Sequence, residues 1–104
     1  MNFLDYQHET AKTAVYPQRL AVEYLGLGIA SEAGEVAGVV KKVVRDNDDG
    51  WTWDYKERLI DELGDVLWYV SQMCTEFGWS LESIAKHNVQ KLQARQEAGE
   101  LHGR

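Results

Sequence analysis

A short segment of this chain occurs twice, thirty residues apart, and that repeat restricts the possible folds more than any other feature. Ser31-Glu32-Ala33-Gly34-Glu35-Val36 aligns with Asp61-Glu62-Leu63-Gly64-Asp65-Val66. From the second residue on, both copies read acid, any residue, glycine, acid, valine. Carboxylates at i and i+3 are neighbours on one face of an α-helix, with Cβ atoms about 5–6 Å apart. Apolar residues at helical spacing run through both copies. On the first the stripe is Ile29, Ala33, Val36, Val40 and Val43; on the second it is Leu59, Leu63, Val66, Val70, Met73, Cys74 and Phe77. At about 100° per residue, Glu32 and Glu35 fall on one shoulder of the first stripe. Glu62 and Asp65 fall on the same shoulder of the second, with Tyr69 one turn further along. The acids therefore border a core. Each copy also carries a mid-helix glycine, which costs up to about 1 kcal/mol relative to alanine, so a close neighbour is expected at Gly34 and Gly64.

The rest of the chain fits four helices. Strand-like alternation is nowhere sustained, and the single proline is Pro17. A first helix is predicted from about Leu4 to Val15, stopped by Tyr16-Pro17, because proline disfavours helix at the residue before it. A second runs from about Arg19 to Arg45. The run Asp46-Asn47-Asp48-Asp49-Gly50 ends it with residues that favour turns. A third spans about Asp54 to Phe77, with Asp54 and Glu57 spaced as a capping box and Gly78 suited to the C-terminal cap. Ser80 caps a fourth, which runs to about Ala98. With 104 residues the chain has room for one domain, 1–104, and one core.

Helices joined by so short a loop pack antiparallel. The midpoint of such a hairpin lies between Asp48 and Asp49, which sets Glu35 level with Glu62 and Glu32 level with Asp65. Four carboxylates gathered at one height either take up protons or recruit cations. Oxygen-only ligands favour magnesium, with manganese next, over zinc or copper. A di-iron bundle needs Glu-x-x-His on its helices, and none exists here; His8, His87 and His102 have no ligand spacing. The competing reading is two solvated acidic faces paired with Lys41, Lys42 or Lys56. An EF-hand beginning at Asp46 would place Trp51 where the loop requires glycine, so that segment reads as a solvated loop.

Composition narrows the function classes. A net charge of −6 and a pI near 4.9 argue against a sequence-independent grip on nucleic acid, although bound cations can reverse the local sign for a polyphosphate. The one cysteine, Cys74, allows no internal disulfide and reads as core. Met1–Asp5 lack the pattern of a signal peptide, and no stretch is long enough to span a membrane, so a cytoplasmic protein with no membrane partner is expected. On the fourth helix Asn88, Lys91 and Arg95 share a face by their i, i+3, i+7 spacing, and Lys91 with Arg95 could clamp phosphate oxygens. A base could stack on an aromatic, but Trp51, Trp53 and Trp79 read by default as core or interface.

Taken together these residues resemble the MazG-like all-alpha nucleotide pyrophosphohydrolases. The family pattern is Glu-x-x-Glu, a spacer, then Glu-x-x-Asp; here it reads Glu32-x-x-Glu35 and Glu62-x-x-Asp65, with 26 residues between. Tyr6-Gln7, Thr13 to Pro17, Leu25-Gly26-Leu27-Gly28 and Asn88 to Arg95 also look like the family. The resemblance implies an all-α, four-helix bundle-like fold with a long central antiparallel hairpin. It implies magnesium held by Glu32, Glu35, Glu62 and Asp65, with catalytic roles expected for Glu35 and Glu62. The implied reaction splits a nucleoside triphosphate into monophosphate and pyrophosphate, with Tyr69, Asn88, Lys91 and Arg95 on the substrate. Some members carry a further glutamate just before the first motif. Here that position is Ser31, which leaves the general base open between Glu35 and water activated by the metal. Two other readings fit the same acids: a non-catalytic helical assembly module with a structural cation, or a hydrolase of another diphosphate-containing metabolite. Hairpin helices of about 36–40 Å at 1.5 Å per residue, with only short partners, leave apolar surface to bury, and a dimer or tetramer is expected.

Overall fold

The computed structural model describes residues 1–46 and 49–101. Its α-helices are α1 (Phe3–Ala11), α2 (Ala21–Asp46), α3 (Trp53–Phe77) and α4 (Leu81–Glu97), with a short 3-10 turn at Gln18–Leu20. The fold is all-α, as expected, and no helix among the described residues is long and apolar enough to cross a membrane. Asn47, Asp48 and His102 lie outside the described residues.

The centre of the molecule is the α2–α3 hairpin. Its buried and half-buried positions on α2 include Leu25, Ile29, Glu32, Val36, Val39 and Val43, and on α3 Tyr55, Leu59, Glu62, Val66, Tyr69 and Met73. Both sets alternate steps of four and three, the seam of a coiled coil. Gly26 against Met73 and Gly28 against Tyr69 fix the antiparallel register. That register sets Glu32 of α2 beside Glu62 and Asp65 of α3. This corrects the expected stripes: Ala33 is exposed, as are Val40, Leu63 and Phe77, because the contact follows a narrow seam of two positions in seven. Glu32 and Glu62 sit within that seam instead of beside it.

Other local differences also trace to tertiary contacts. α1 ends at Ala11, four residues before Val15, where Thr13 turns back so that its hydroxyl donates to the Thr10 carbonyl (3.1 Å) and accepts from Trp68 Nε1 (2.7 Å). A threonine engaged in this way competes with the helix for backbone partners. The cap of α3 is Thr52, whose Oγ1 accepts from the Tyr55 N–H; Asp54 and Glu57 form no capping box there. Gly78 (φ 73°) closes α3 in the left-handed conformation and Ser80 caps α4, both as expected. Trp51, Trp53 and Trp79 are exposed, and Trp79 stacks on Phe77 with centroids 4.7 Å apart. Cys74 is buried.

α1 is held to α3 largely by hydrogen bonds. Thr10 Oγ1 lies 2.9 Å from Ser71 Oγ and 2.8 Å from Gln72 Oε1. The Gln7 amide donates to Thr75 Oγ1 and the Trp79 carbonyl and accepts from the Leu81 N–H, which ties the α3–α4 turn to α1. At the opposite end of the hairpin, Asp46 accepts from Arg45 Nε at 2.8 Å and from the Tyr55 hydroxyl at 2.8 Å. These bonds, Arg45 first and Tyr55 next, hold the Asp46 carboxyl at about 2. Its stabilising contribution is thus present above the ordinary carboxylate range and lost as the pH falls toward 2. Tyr55→Phe removes the second bond and is expected to shift the Asp46 titration upward in a carbon-13 NMR pH series; an unchanged titration would show that the bond across the loop is not held in solution.

Candidate metal centre and substrate cleft

Each copy of the repeat delivers carboxylates to the same level of the hairpin. Glu32 of α2 meets Glu62 and Asp65 of α3, and one carboxylate oxygen from each lies within 4.8 Å of the other two. Glu32 and Glu62 are half-buried by their seam positions, while Asp65 is exposed on the shoulder. Glu35, one turn from Glu32, is exposed and outside this trio, although its charge acts on Glu32. Desolvation first, then the charges of Asp65 and Glu62, a hydrogen bond with Glu62 and the charge of Glu35 push the Glu32 carboxyl up. Every group in that balance other than burial is an acid. The ion pairs of the described residues are Lys12 with Glu9, Arg45 with Asp46 and Arg58 with Asp54; none neutralises the trio. Ordinary surface pairing with Lys41, Lys42 or Lys56 is therefore not what occupies these acids.

Two carboxylates in a helix seam, with a third beside them and no cationic side chain of the described residues paired to any, form an oxygen-only donor set. Like charges gathered this closely are costly unless a counter-charge joins them, and a hard divalent cation is the partner such a set suits. The residues fit magnesium on that ground. The expectation that something approaches the backbone at Gly34 and Gly64 is not met among the described residues: a methyl group at either, or at Gly38, would have none of them within 4 Å.

Beside the trio lies a cleft of about 300 Å³, lined by Thr13, Glu32, Asp65, Trp68 and Tyr69. Tyr69 is thus brought to the acids. Trp68, one of the helix-three aromatics on which a base could stack, joins it there, and so does Thr13, which carried no site role. Trp68 was legible as the neighbour of Tyr69, whereas Thr13 arrives only through the turn after α1. Four aromatics form the wall behind. Tyr69 meets Trp68 edge-on (5.0 Å, 78°) and tilts against Tyr24 (6.2 Å); Tyr24 stacks on Tyr16 (5.7 Å, 15°), which meets Trp68 edge-on (6.4 Å). Tyr6 of α1 stands close enough for its hydroxyl pKa to be raised by burial and then by the Asp65 charge.

Asn88, Lys91 and Arg95 do not line this cleft. They lie on α4, where Asn88 is exposed and Lys91 and Arg95 are half-buried. Arg95 Nη1 is buried with no hydrogen-bond partner among the described residues.

Fold and site together define a class: all-helical proteins whose paired helices hold an acidic, cation-suited centre beside a cleft. The chain belongs to the MazG nucleotide pyrophosphohydrolase family, whose domain matches residues 21–99. It is similar to the Gene 37 protein of Mycobacterium phage L5, 36% identical over 104 residues that cover 94% of this chain and 91% of that protein. It is also similar to YvdC of Bacillus subtilis (strain 168), 34% identical over 74 residues covering 66% of this chain and 70% of that one. No solved structure matches the chain.

Proposed function

We propose that this protein, as one domain over residues 1–104, hydrolyses nucleoside triphosphates to a nucleoside monophosphate and pyrophosphate with magnesium. The observation that carries this reading is the trio Glu32, Glu62 and Asp65, unpaired with any cation among the described residues, of which Glu32 and Asp65 line a cleft walled by Trp68 and Tyr69. Family membership supports the reaction type. Magnesium held by the trio, with Glu35 as the fourth ligand or in reserve, would supply positive charge to the substrate's phosphate oxygens and to the leaving pyrophosphate.

The chain's own residues have separable tasks. Glu32 and Glu62 present their carboxylates from fixed seam positions, so little ordering remains to be done on binding. Glu35 stands outside the trio on the exposed shoulder, which suits it to take the proton of the attacking water, the role left open by Ser31. Tyr69 and Trp68 offer ring faces and edges to the sugar or base. Lys91 and Arg95, with Asn88, are proposed as phosphate contacts; support comes from the buried Arg95 Nη1, which finds no acceptor among the described residues.

A homo-oligomer belongs to the same proposal. The accessible surface is 7610 Å², whereas a compact monomer of 11.9 kDa is expected to expose about 6,000 Å². The radius of gyration, 16.6 Å, likewise exceeds the roughly 13 Å expected of a compact domain this long.

The decisive experiment is product analysis. Deoxynucleoside triphosphates incubated with magnesium in oxygen-18 water are expected to give monophosphate and pyrophosphate in equal amounts, with no diphosphate intermediate. Water attacks the α phosphorus and the α–β bridging bond breaks, so the label enters the monophosphate. Phosphorus NMR reads both outcomes. Label confined to pyrophosphate, or orthophosphate as first product, would overturn the mechanism, and no release from any nucleotide would favour a structural cation site.

A further inference from the structure

We propose that Gly28 is a positioning residue, whose absent side chain forms the slot that seats the Tyr69 ring against the carboxylate cleft. The proposal rests on reading that cleft as the nucleotide site. A methyl group built on Gly28 would overlap Tyr69 at Cδ1, Cε1 and Cζ, along the length of the ring. The obstacle is a rigid ring, not the end of a flexible side chain, so it cannot yield by a small bend.

Nor can the ring retreat freely. Trp68 closes it off edge-on at 5.0 Å and Tyr24 lies against it at 6.2 Å. Tyr24 is itself stacked on Tyr16, which donates its hydroxyl to Glu76 Oε1 (2.8 Å) and accepts from Gln72 Nε2 (3.1 Å). The ring that lines the cleft with Glu32 and Asp65 is therefore clamped between a cluster of aromatics and the bare backbone of α2. Gly28 differs in this respect from the other glycines of the hairpin. A methyl on Gly26 would meet only Met73 Cε, at an ordinary 3.7 Å, and Gly34, Gly38 and Gly64 face open space. Glycine in mid-helix is otherwise disfavoured, and at position 28 the ring is what requires it.

The test is a double-substitution cycle with Gly28→Ala, Tyr69→Ala and the pair, and with Gly26→Ala as control. Tyr69 ring-proton shifts and the kcat and KM of magnesium-dependent nucleotide hydrolysis are the readouts. Gly28→Ala is expected to move the ring signals and to raise KM roughly ten- to hundredfold, as an ångström-scale displacement does, with a smaller change in kcat. In the Tyr69→Ala background the same substitution should change nothing further, because the ring it displaces is gone. Gly26→Ala should leave shifts and kinetics as in the parent. Unmoved ring signals in Gly28→Ala, or an effect undiminished when Tyr69 is absent, would overturn the proposal. Should Gly28→Ala fail to fold, the double variant folding like Tyr69→Ala supports the slot and its failure to fold refutes it. A parent protein that hydrolyses no nucleotide would refute the functional reading instead, while the ring signals would still decide how Tyr69 is seated.

Discussion

Glu62→Gln is expected to abolish magnesium-dependent turnover while leaving the metal-free protein at least as stable as the parent. Glu62 occupies a seam position beside Glu32, and its charge helps push the Glu32 carboxyl up. Glutamine keeps the shape and removes the charge, so repulsion within the trio falls. Each 1 kcal/mol of repulsion relieved would raise the melting temperature of a domain this size by about 4–8 °C. Ligation is lost at the same time. Removing charge stabilisation worth several kcal/mol in the transition state corresponds to a loss in rate of roughly a thousandfold or more. Stabilisation by added magnesium should shrink in parallel, since it arises from binding to the native state. Asp65→Asn and Glu32→Gln should behave alike. Glu35→Gln should abolish turnover too, but with less loss of magnesium-induced stabilisation, because Glu35 stands outside the trio. Wild-type rates in Glu62→Gln would dismiss the metal centre, and calorimetry with and without magnesium separates lost activity from a lost fold.

The second large effect concerns assembly. In solution the protein is expected to have a mass that is a multiple of 11.9 kDa, and Leu63→Arg is expected to reduce it to that of one chain. At 100° per residue, Val22, Val40 and Val44 of α2 lie on the same flank of the hairpin as Ile60 and Leu63 of α3, and all five are exposed. Glu35 and Asp65 lie on the opposite flank. The surface in excess of a compact monomer, roughly 1,600 Å², is ample for a stable interface, which takes about 800 Å² from each partner. Leu63 is 51% exposed in the single chain, so a charge there should disturb the monomer little and the interface greatly. Light scattering of the unsubstituted protein giving about 12 kDa at micromolar concentration would refute the assembly outright.

Much of this architecture is written locally in the sequence. Helix ends at Gly78 and Ser80 depend on backbone chemistry within a few residues, and the repeat alone set Glu32, Glu35, Glu62 and Asp65 at one height, of which the structure brings Glu32, Glu62 and Asp65 together, because antiparallel helices convert sequence distance from the turn into level. Family membership was legible for the same reason, since its pattern is a spacing of acids on two helices. What only the tertiary structure decided is which side of each helix turns inward and what meets it there. A simple 3.6-residue stripe admitted Ala33, Val40, Leu63 and Phe77, whereas the packed hairpin follows a four-three seam that puts two glutamates among its inward positions. α1 stops at Ala11 because Trp68, fifty-five residues on, holds Thr13, a contact no local propensity encodes. Gly28 and Gly34 look equivalent in sequence, yet one is filled by the Tyr69 ring and the other faces open space. Spacing along a helix fixes the angle and height of a side chain, but its neighbours depend on the register and packing of elements distant in the chain.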